Sequence, residues 1–230
     1  MLSKLRNDVR ELFFPRICPV CEGRLLPDES FICSECLIEF PLLKFEKTDD
    51  NQMIRTLWGN IPVAHAVSIF AYRHHSIYHN LLLQIKYRGN ARLAQQLGTW
   101  AATQIRDLKL EEKADVIVPV PLSRRKQWER GYNQAYHLAL GLSKIYQLPV
   151  QQWLTSKVDR QTQTHMNAQQ RIENTQGCYA AKIPESEHGK RILLVDDVMT
   201  TGATIIACTN AILEVDKTAE ISVFTLALSK

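Results

Sequence analysis

The sequence predicts an α/β fold, a parallel sheet flanked by helices with a small cysteine-bearing module on its amino-terminal side. Three observations point there. The run Ile192–Val195 is apolar without alternation, as in a strand buried on both faces of a parallel sheet. Asp196 and Asp197 follow it, then Thr200-Thr201-Gly202-Ala203-Thr204, then an apolar helical run, Ile205–Leu213. Strand, acidic turn, hydroxyl-rich loop and helix form the kind of junction where open α/β sheets bind ligands. Finally, two Cys-x-x-Cys pairs, Cys18/Cys21 and Cys33/Cys36, lie close together ahead of this pattern.

A chain of 230 residues holds one ordinary domain and a small appendage. At 45% hydrophobic and 23% charged it has the composition of a soluble globular protein, and its net charge of +4 is compatible with polyanionic ligands. No run reaches the roughly 18 apolar residues of a membrane span, so no transmembrane segment is expected. The first stretch, MLSKLRNDVRELFFP, is charged throughout and does not read as a secretory leader. It reads as a helix with Leu5, Val9, Leu12 and Phe13 on one stripe, stopped by Pro15. That stripe packs on the domain or lies on a membrane surface. The expected place of the chain is the cytoplasm, where disulfides are disfavoured.

In chain order, the four clustered cysteines come first. Two Cys-x-x-Cys pairs separated by eleven residues match a four-cysteine zinc site; a redox pair would account for one of them but not both. Four thiolates close a tetrahedron, so the Zn2+ is expected to be structural. Phe31, Leu37, Phe40, Leu42 and Leu43 are the expected small core of this module, which spans residues 1–47 with the amino-terminal helix. The polar stretch Thr48–Asn51 reads as a linker, and residues 55–230 as the larger domain.

Val63–Tyr72 is the expected first strand. Ser76–Tyr87 should be a helix with Ile77, Leu81, Leu82 and Ile85 inward, capped by Lys86-Tyr87-Arg88-Gly89. Ala91–Arg106 is a second helix, with Leu93, Leu97 and Trp100–Ala101 inward. Asp115–Val120 is the next strand. The loop after it holds Arg124, Arg125, Lys126 and Arg130 with one acid, Glu129. Such a cluster at a strand's carboxyl end suits a diphosphate, although a solvated basic turn has the same composition. Gly131-Tyr132-Asn133 opens a helix, Ala135–Ile145, with Leu138, Leu142 and Ile145 on its core stripe. Val150–Leu154 reads as a short strand. Lys157–Gln170 is polar and aperiodic; it reads as a lid carrying Arg160 and Gln163, with Arg171 close behind, or as a polar loop without a role. Cys178 and Cys208 read as buried thiols, and Ile221–Leu228 as the closing strand.

The chemistry of the central junction is that of a phosphorylated sugar. Gly202 permits a tight turn, three threonine hydroxyls can donate, and a helix start offers free N–H groups. Carboxylates repel a phosphate but suit neighbouring sugar hydroxyls, or a Mg2+ that bridges to other phosphates. No Lys stands in the loop, so it is not a nucleotide-triphosphate P-loop.

ILLVDDVMTTGAT resembles the 13-residue 5-phosphoribosyl-1-diphosphate (PRPP) motif of type I phosphoribosyltransferases. The resemblance implies a sheet of that type. It gives the ribose hydroxyls, with Mg2+, to Asp196 and Asp197, and the 5′-phosphate to Thr200, Thr201, Gly202, Ala203 and Thr204. The whole chain resembles the competence protein F family. The shared features are the double Cys-x-x-Cys module, Lys86-Tyr87-Arg88-Gly89, VPVPLSRRKQWERGYNQA, Arg160…Gln163…Arg171…Asn174 and the PRPP motif. What this implies is a competence protein that handles incoming single-stranded DNA, with a PRPP-binding domain and other DNA-uptake proteins as partners. It also implies a cytoplasmic place, peripheral to the inner membrane. An active phosphoribosyltransferase of unknown acceptor, and a regulator that senses PRPP without turning it over, stay open as alternatives.

Overall fold

The computed structural model describes residues 15–73, 76–157, 175 and 177–229. The amino-terminal stripe and the expected lid residues Arg160, Gln163 and Arg171 lie outside them. In chain order the elements are α1 (Ser34–Ile38), α2 (Gln52–Leu57), β1 (His65–Tyr72), α3 (His79–Tyr87), α4 (Ala91–Gln104), β2 (Val116–Pro119) and α5 (Arg124–Arg130). They continue with α6 (Gln134–Tyr146), β3 (Leu154–Ser156), β4 (Tyr179–Ala181), β5 (Arg191–Met199), α7 (Ala203–Val215) and β6 (Glu220–Ser229). Four strands form a parallel sheet in the order β1-β6-β5-β2, and β3 and β4 form a separate antiparallel pair.

Alternation along the strands divides the core into two layers. Leu193 and Val195, with Phe224 and Leu226, face a layer built from α3, α4 and α6. Ile192 and Leu194, with Ile221 and Val223, face α7, α2 and the β3–β4 pair. The sheet is covered on both sides, which is why its inner strands are apolar without a break.

α4 and α6 approach each other through glycines. A Cβ on Gly98 would lie 2.2 Å from Leu138 O, and one on Gly141 would lie 2.2 Å from Gln95 O and 2.6 Å from Thr99 N. Only residues without a side chain allow that approach, and Thr99 Oγ1 uses it to donate to Gly141 O at 3.2 Å.

The cysteine-bearing part shares the first of these layers. Its buried residues are Cys18, Val20, Leu25, Ile32, Cys36 and Phe40. Phe40 is the plug, edge-on to Phe70, Tyr78 and Trp100 with ring centroids 5.2, 4.9 and 4.7 Å away. Leu42 bridges antiparallel to Phe70, and Leu43 N–H donates to Ile69 O at 2.8 Å. Leu42 therefore lies along the edge of β1 and stays exposed, against the expectation that it is core, while Ile32 is fully buried. The polar stretch Thr48–Asn51 is pinned to β1. Thr48 O accepts from Ala66 N–H at 2.8 Å, Asn51 Nδ2 donates to Ala66 O at 2.8 Å, and Asn51 Oδ1 caps α2.

Further expectations are corrected. β5 does not stop before the acids: it runs to Met199, with Asp196 opposite Thr225 on β6. The basic stretch after β2 is a helix, α5, rather than a loop; Ser123 caps it and Gly131, at φ 77°, closes it. Ile77 and Ile145 are exposed, and the α6 stripe is completed by Ala135, Ala139 and Tyr146. Val150 makes only a single parallel bridge to Ile117; the short strand begins at Leu154 and pairs with β4.

Candidate functional site

β2 ends beside Val195 of β5, just before the two acids. Pro119 is opposite Val195, and Val120 N–H donates to Val195 O at 2.9 Å. Everything that follows these two strands is therefore gathered at one edge of the sheet. Asp196 and Asp197 are the next residues of β5, and strand alternation sends them to opposite layers.

Asp197 is buried on the α3–α4–α6 side. Lys86 Nζ, from the last turn of α3, lies 3.2 Å from its Oδ2. The approach angle makes this an ion pair without a directed hydrogen bond to that oxygen. Asp197 N–H donates to Asp196 Oδ1 at 2.8 Å. Asp196 is half-buried on the α7 side, in register with the buried hydroxyl residues Thr225 and Ser68 on β6 and β1. Burial, and then the neighbouring Asp197 carboxylate, push Asp196 up, to about 8. Asp196 thus keeps an exchangeable proton at neutral pH. A divalent cation or a sugar hydroxyl can replace that proton as the partner of Asp196.

The cationic wall is α5. Lys126 and Arg130 are one turn apart and share a face. Burial, then Arg130 and Lys86, depress the Lys126 ammonium, and both carboxylates act on it in the opposite sense. Arg130 Nη1 donates to Gln134 Oε1 at 2.9 Å, and its guanidinium lies 5.6 Å from the centre of the Tyr87 ring. The Tyr132 hydroxyl donates to Ile85 O and locks the α5–α6 corner to the end of α3. Asn133 Nδ2 donates to Val120 O at 3.0 Å. Of the four cations expected to hold a diphosphate, the structure brings Lys126 within electrostatic reach of both acids, and Arg130 stands one turn further along, over Tyr87. Arg124 and Arg125 are exposed, and Arg125 pairs with Glu129 at 3.7 Å.

On the other layer, Thr200–Gly202 join β5 to α7, and Ala203 and Thr204 open that helix. Gly202 has φ 78° and ψ −1° and is the cap of α7, so the first amides of that helix lack helical partners. A Cβ on Gly202 would come within 2.7 Å of Leu57 Cδ2. The glycine is thus required by its left-handed backbone and by α2 packed beneath it. Tyr179 of β4 hydrogen-bonds Thr204, and burial pushes its phenol up.

Lys86 and Tyr132 are the residues that sequence reasoning missed. Lys86 lies in the Lys86–Gly89 stretch, whose basic residues and glycine match a helix end so well that capping accounts for them locally. The sequence offers Tyr132 as a base-stacking aromatic alongside Trp128; its place in the site, part-buried with its hydroxyl on Ile85 O, was not legible.

The four clustered cysteines meet as expected. Their Sγ atoms all lie within 4.8 Å of one another, and Cys21 Sγ and Cys33 Sγ are 3.7 Å apart. A tetrahedron with Zn–S bonds of about 2.3 Å has edges of about 3.8 Å, so the thiols fit a metal ion. Glu22, at φ 62°, turns the first knuckle, where Cys18 N–H donates to Gly23 O at 2.8 Å. Cys33 caps α1, which carries Cys36. Cys178 and Cys208 are buried thiols, as expected.

Residues 87–229 match the phosphoribosyl transferase domain family. Competence protein ComFC of Bacillus subtilis is 27% identical over 99% of this chain and 92% of its own length. Competence protein F of Haemophilus influenzae is 31% identical over 54% of this chain and 57% of its own. DNA utilization protein YhgH of Escherichia coli K12 is 30% identical over 54% and 56%. The matched region is little more than half the length of the last two. Among the described residues, no helix is long and apolar enough to cross a membrane.

Proposed function

Because the chain belongs to the phosphoribosyl transferase domain family and has competence proteins among its relatives, we propose that it binds PRPP or a related phosphoribosyl compound at the carboxyl end of β5 and handles single-stranded DNA. One observation carries the ligand reading: an acid pair, Asp197 buried and Asp196 half-buried, stands between a cationic wall and the start of α7, which no side chain caps. In this reading Asp196 and Asp197 hold the ribose hydroxyls. Thr200–Thr204 and the first α7 amides receive the 5′-phosphate, and Lys126 and Arg130 face the diphosphate. Mg2+, when bound, would neutralise the diphosphate oxygens and link them to the carboxylates. The four cysteines hold a structural Zn2+, one per chain.

Calorimetry with PRPP and Mg2+ tests the ligand reading. Wild type is expected to bind, and the double variant Asp196→Asn/Asp197→Asn to lose binding by about 100-fold or more, since each change removes a charge-assisted partner. Equal affinity in the two proteins would place the ligand elsewhere. Lys126 and Arg130 would face the diphosphate whether PRPP is turned over or only sensed. Diphosphate release, screened with nucleobases and single-stranded DNA, separates the two.

The DNA reading rests on the names of the relatives and on the outer face of α5. There Trp128 is 87% exposed beside Arg124 and Arg125, a cation-and-aromatic surface of the kind that stacks bases and follows a phosphate backbone. Fluorescent single-stranded oligonucleotides are expected to bind with little sequence preference. Affinity should fall with salt at a slope of roughly −0.7 per phosphate contacted. Trp128→Ala should weaken binding by about 1–3 kcal/mol. Absence of binding at low salt would assign DNA contact to a partner protein.

A further inference from the structure

The cysteine cluster and the acid pair are joined by one short element. At the start of α3, the Tyr78 hydroxyl donates to Cys36 O at 2.9 Å, and Asn80 Nδ2 donates to Val20 O at 3.2 Å. At its end, Arg88 lies 4.0 Å from Glu22, the residue that turns the first knuckle. The same end carries Lys86, 3.2 Å from Asp197, and Ile85 O, the acceptor for the Tyr132 hydroxyl. Nine residues do not hold a helix in water by themselves. The position of α3 is set by its buried side chains Leu81, Leu82 and Ile85 and by these polar ties. Two of the ties end on knuckle carbonyls: Val20 lies inside the first Cys-x-x-Cys turn, and Cys36 closes the second. The shape of both turns depends on what the four thiolates hold.

We propose that α3 couples metal occupancy at Cys18, Cys21, Cys33 and Cys36 to ligand affinity at Asp196 and Asp197. The bound metal fixes the knuckle carbonyls, these fix α3, and α3 sets Lys86 against Asp197. Loss of the metal loosens that end of the site and weakens PRPP binding. Tyr78 is a positioning residue here, because it touches neither the thiolates' metal nor the sugar site. The inference rests on the acid pair being the PRPP site. Linkage makes the coupling reciprocal: the factor by which metal tightens PRPP is the factor by which PRPP tightens metal.

The test uses the full chain, zinc-loaded and chelator-stripped. Three quantities are read: PRPP affinity by calorimetry, zinc affinity against a chromogenic chelator with and without PRPP, and hydrogen exchange at the Gln84–Tyr87 amides. Stripping is expected to weaken PRPP by about fivefold or more, with an equal gain in zinc affinity when PRPP is present. Tyr78→Phe keeps all four thiols, so it should retain one zinc per chain yet lose most of the coupling. Equal PRPP affinity with and without zinc overturns the inference and leaves the acid-pair site standing, as does full coupling in Tyr78→Phe. If zinc-loaded wild type does not bind PRPP, the site reading fails instead, and hydrogen exchange decides the coupling. Faster exchange on stripping in wild type, but not in Tyr78→Phe, supports it; the same response in both proteins overturns it.

Discussion

Gly141→Ala is expected to destabilise the protein by about 3 kcal/mol or more, which lowers the melting temperature of a domain this size by roughly 6–12 °C. The new Cβ would meet Gln95 O at 2.2 Å, Thr99 N at 2.6 Å and Gly98 Cα at 2.8 Å. All three are backbone atoms, so no side-chain rotation relieves the clash, and α4 and α6 must separate. Gly98→Ala should behave alike, because its Cβ would strike Leu138 O across the same contact. The two substitutions together should cost less than their sum, since a gap opened for one accommodates the other. Thermal melts of the two singles and the double check this. A single variant that melts with wild type would mean that the helices do not touch as described.

The second expectation is a stability that depends on pH through Asp196. In the unfolded chain this carboxyl loses its proton near 3.8; in the folded protein it keeps it until about 8. Between those values the folded state binds more protons than the unfolded state. The contribution is therefore fully present below 3.8 and is lost as pH rises toward 8. Asparagine carries no titrating proton, so Asp196→Asn should flatten this part of the profile. At pH 8 it should be more stable than wild type by about 1–3 kcal/mol. Denaturant melts at pH 5 and pH 8 read the difference directly. A variant no more stable than wild type at pH 8 would show that the acid is not strained in the folded state.

The parallel sheet, its two layers and the meeting of the four cysteines follow from patterns with strong physical causes. Unbroken apolar strands need cover on both faces, and paired Cys-x-x-Cys turns need one ion. Ile192–Val195, Leu81, Leu97, Leu138 and Cys208 stand where those patterns put them. Other features were decided by partners distant in sequence. Aspartate disfavours strands, which argues for a turn at Asp196, yet pairing with Thr225 on β6 carries β5 through both acids. α5 is marked by a capping serine and a closing glycine, but seven mostly charged residues without a buried one give no periodicity to read. Lys86 shows the same limit at the site itself, since a lysine at a helix end satisfies local electrostatics whether or not a carboxylate waits across the fold.

The position of β1 bears on how the chain is made. One edge of β1 meets Leu42 and Leu43, which leave the ribosome before it, but its other edge pairs with β6, residue for residue from His65 with Ser222. About 150 residues of synthesis separate those partners, roughly 10–30 s at ordinary elongation rates. During that interval the nascent chain carries an apolar strand with one open side, and the sheet closes only when its latest-made member arrives. This topology sets a long average separation between contacting residues, which slows folding and gives chaperones a defined segment to shield.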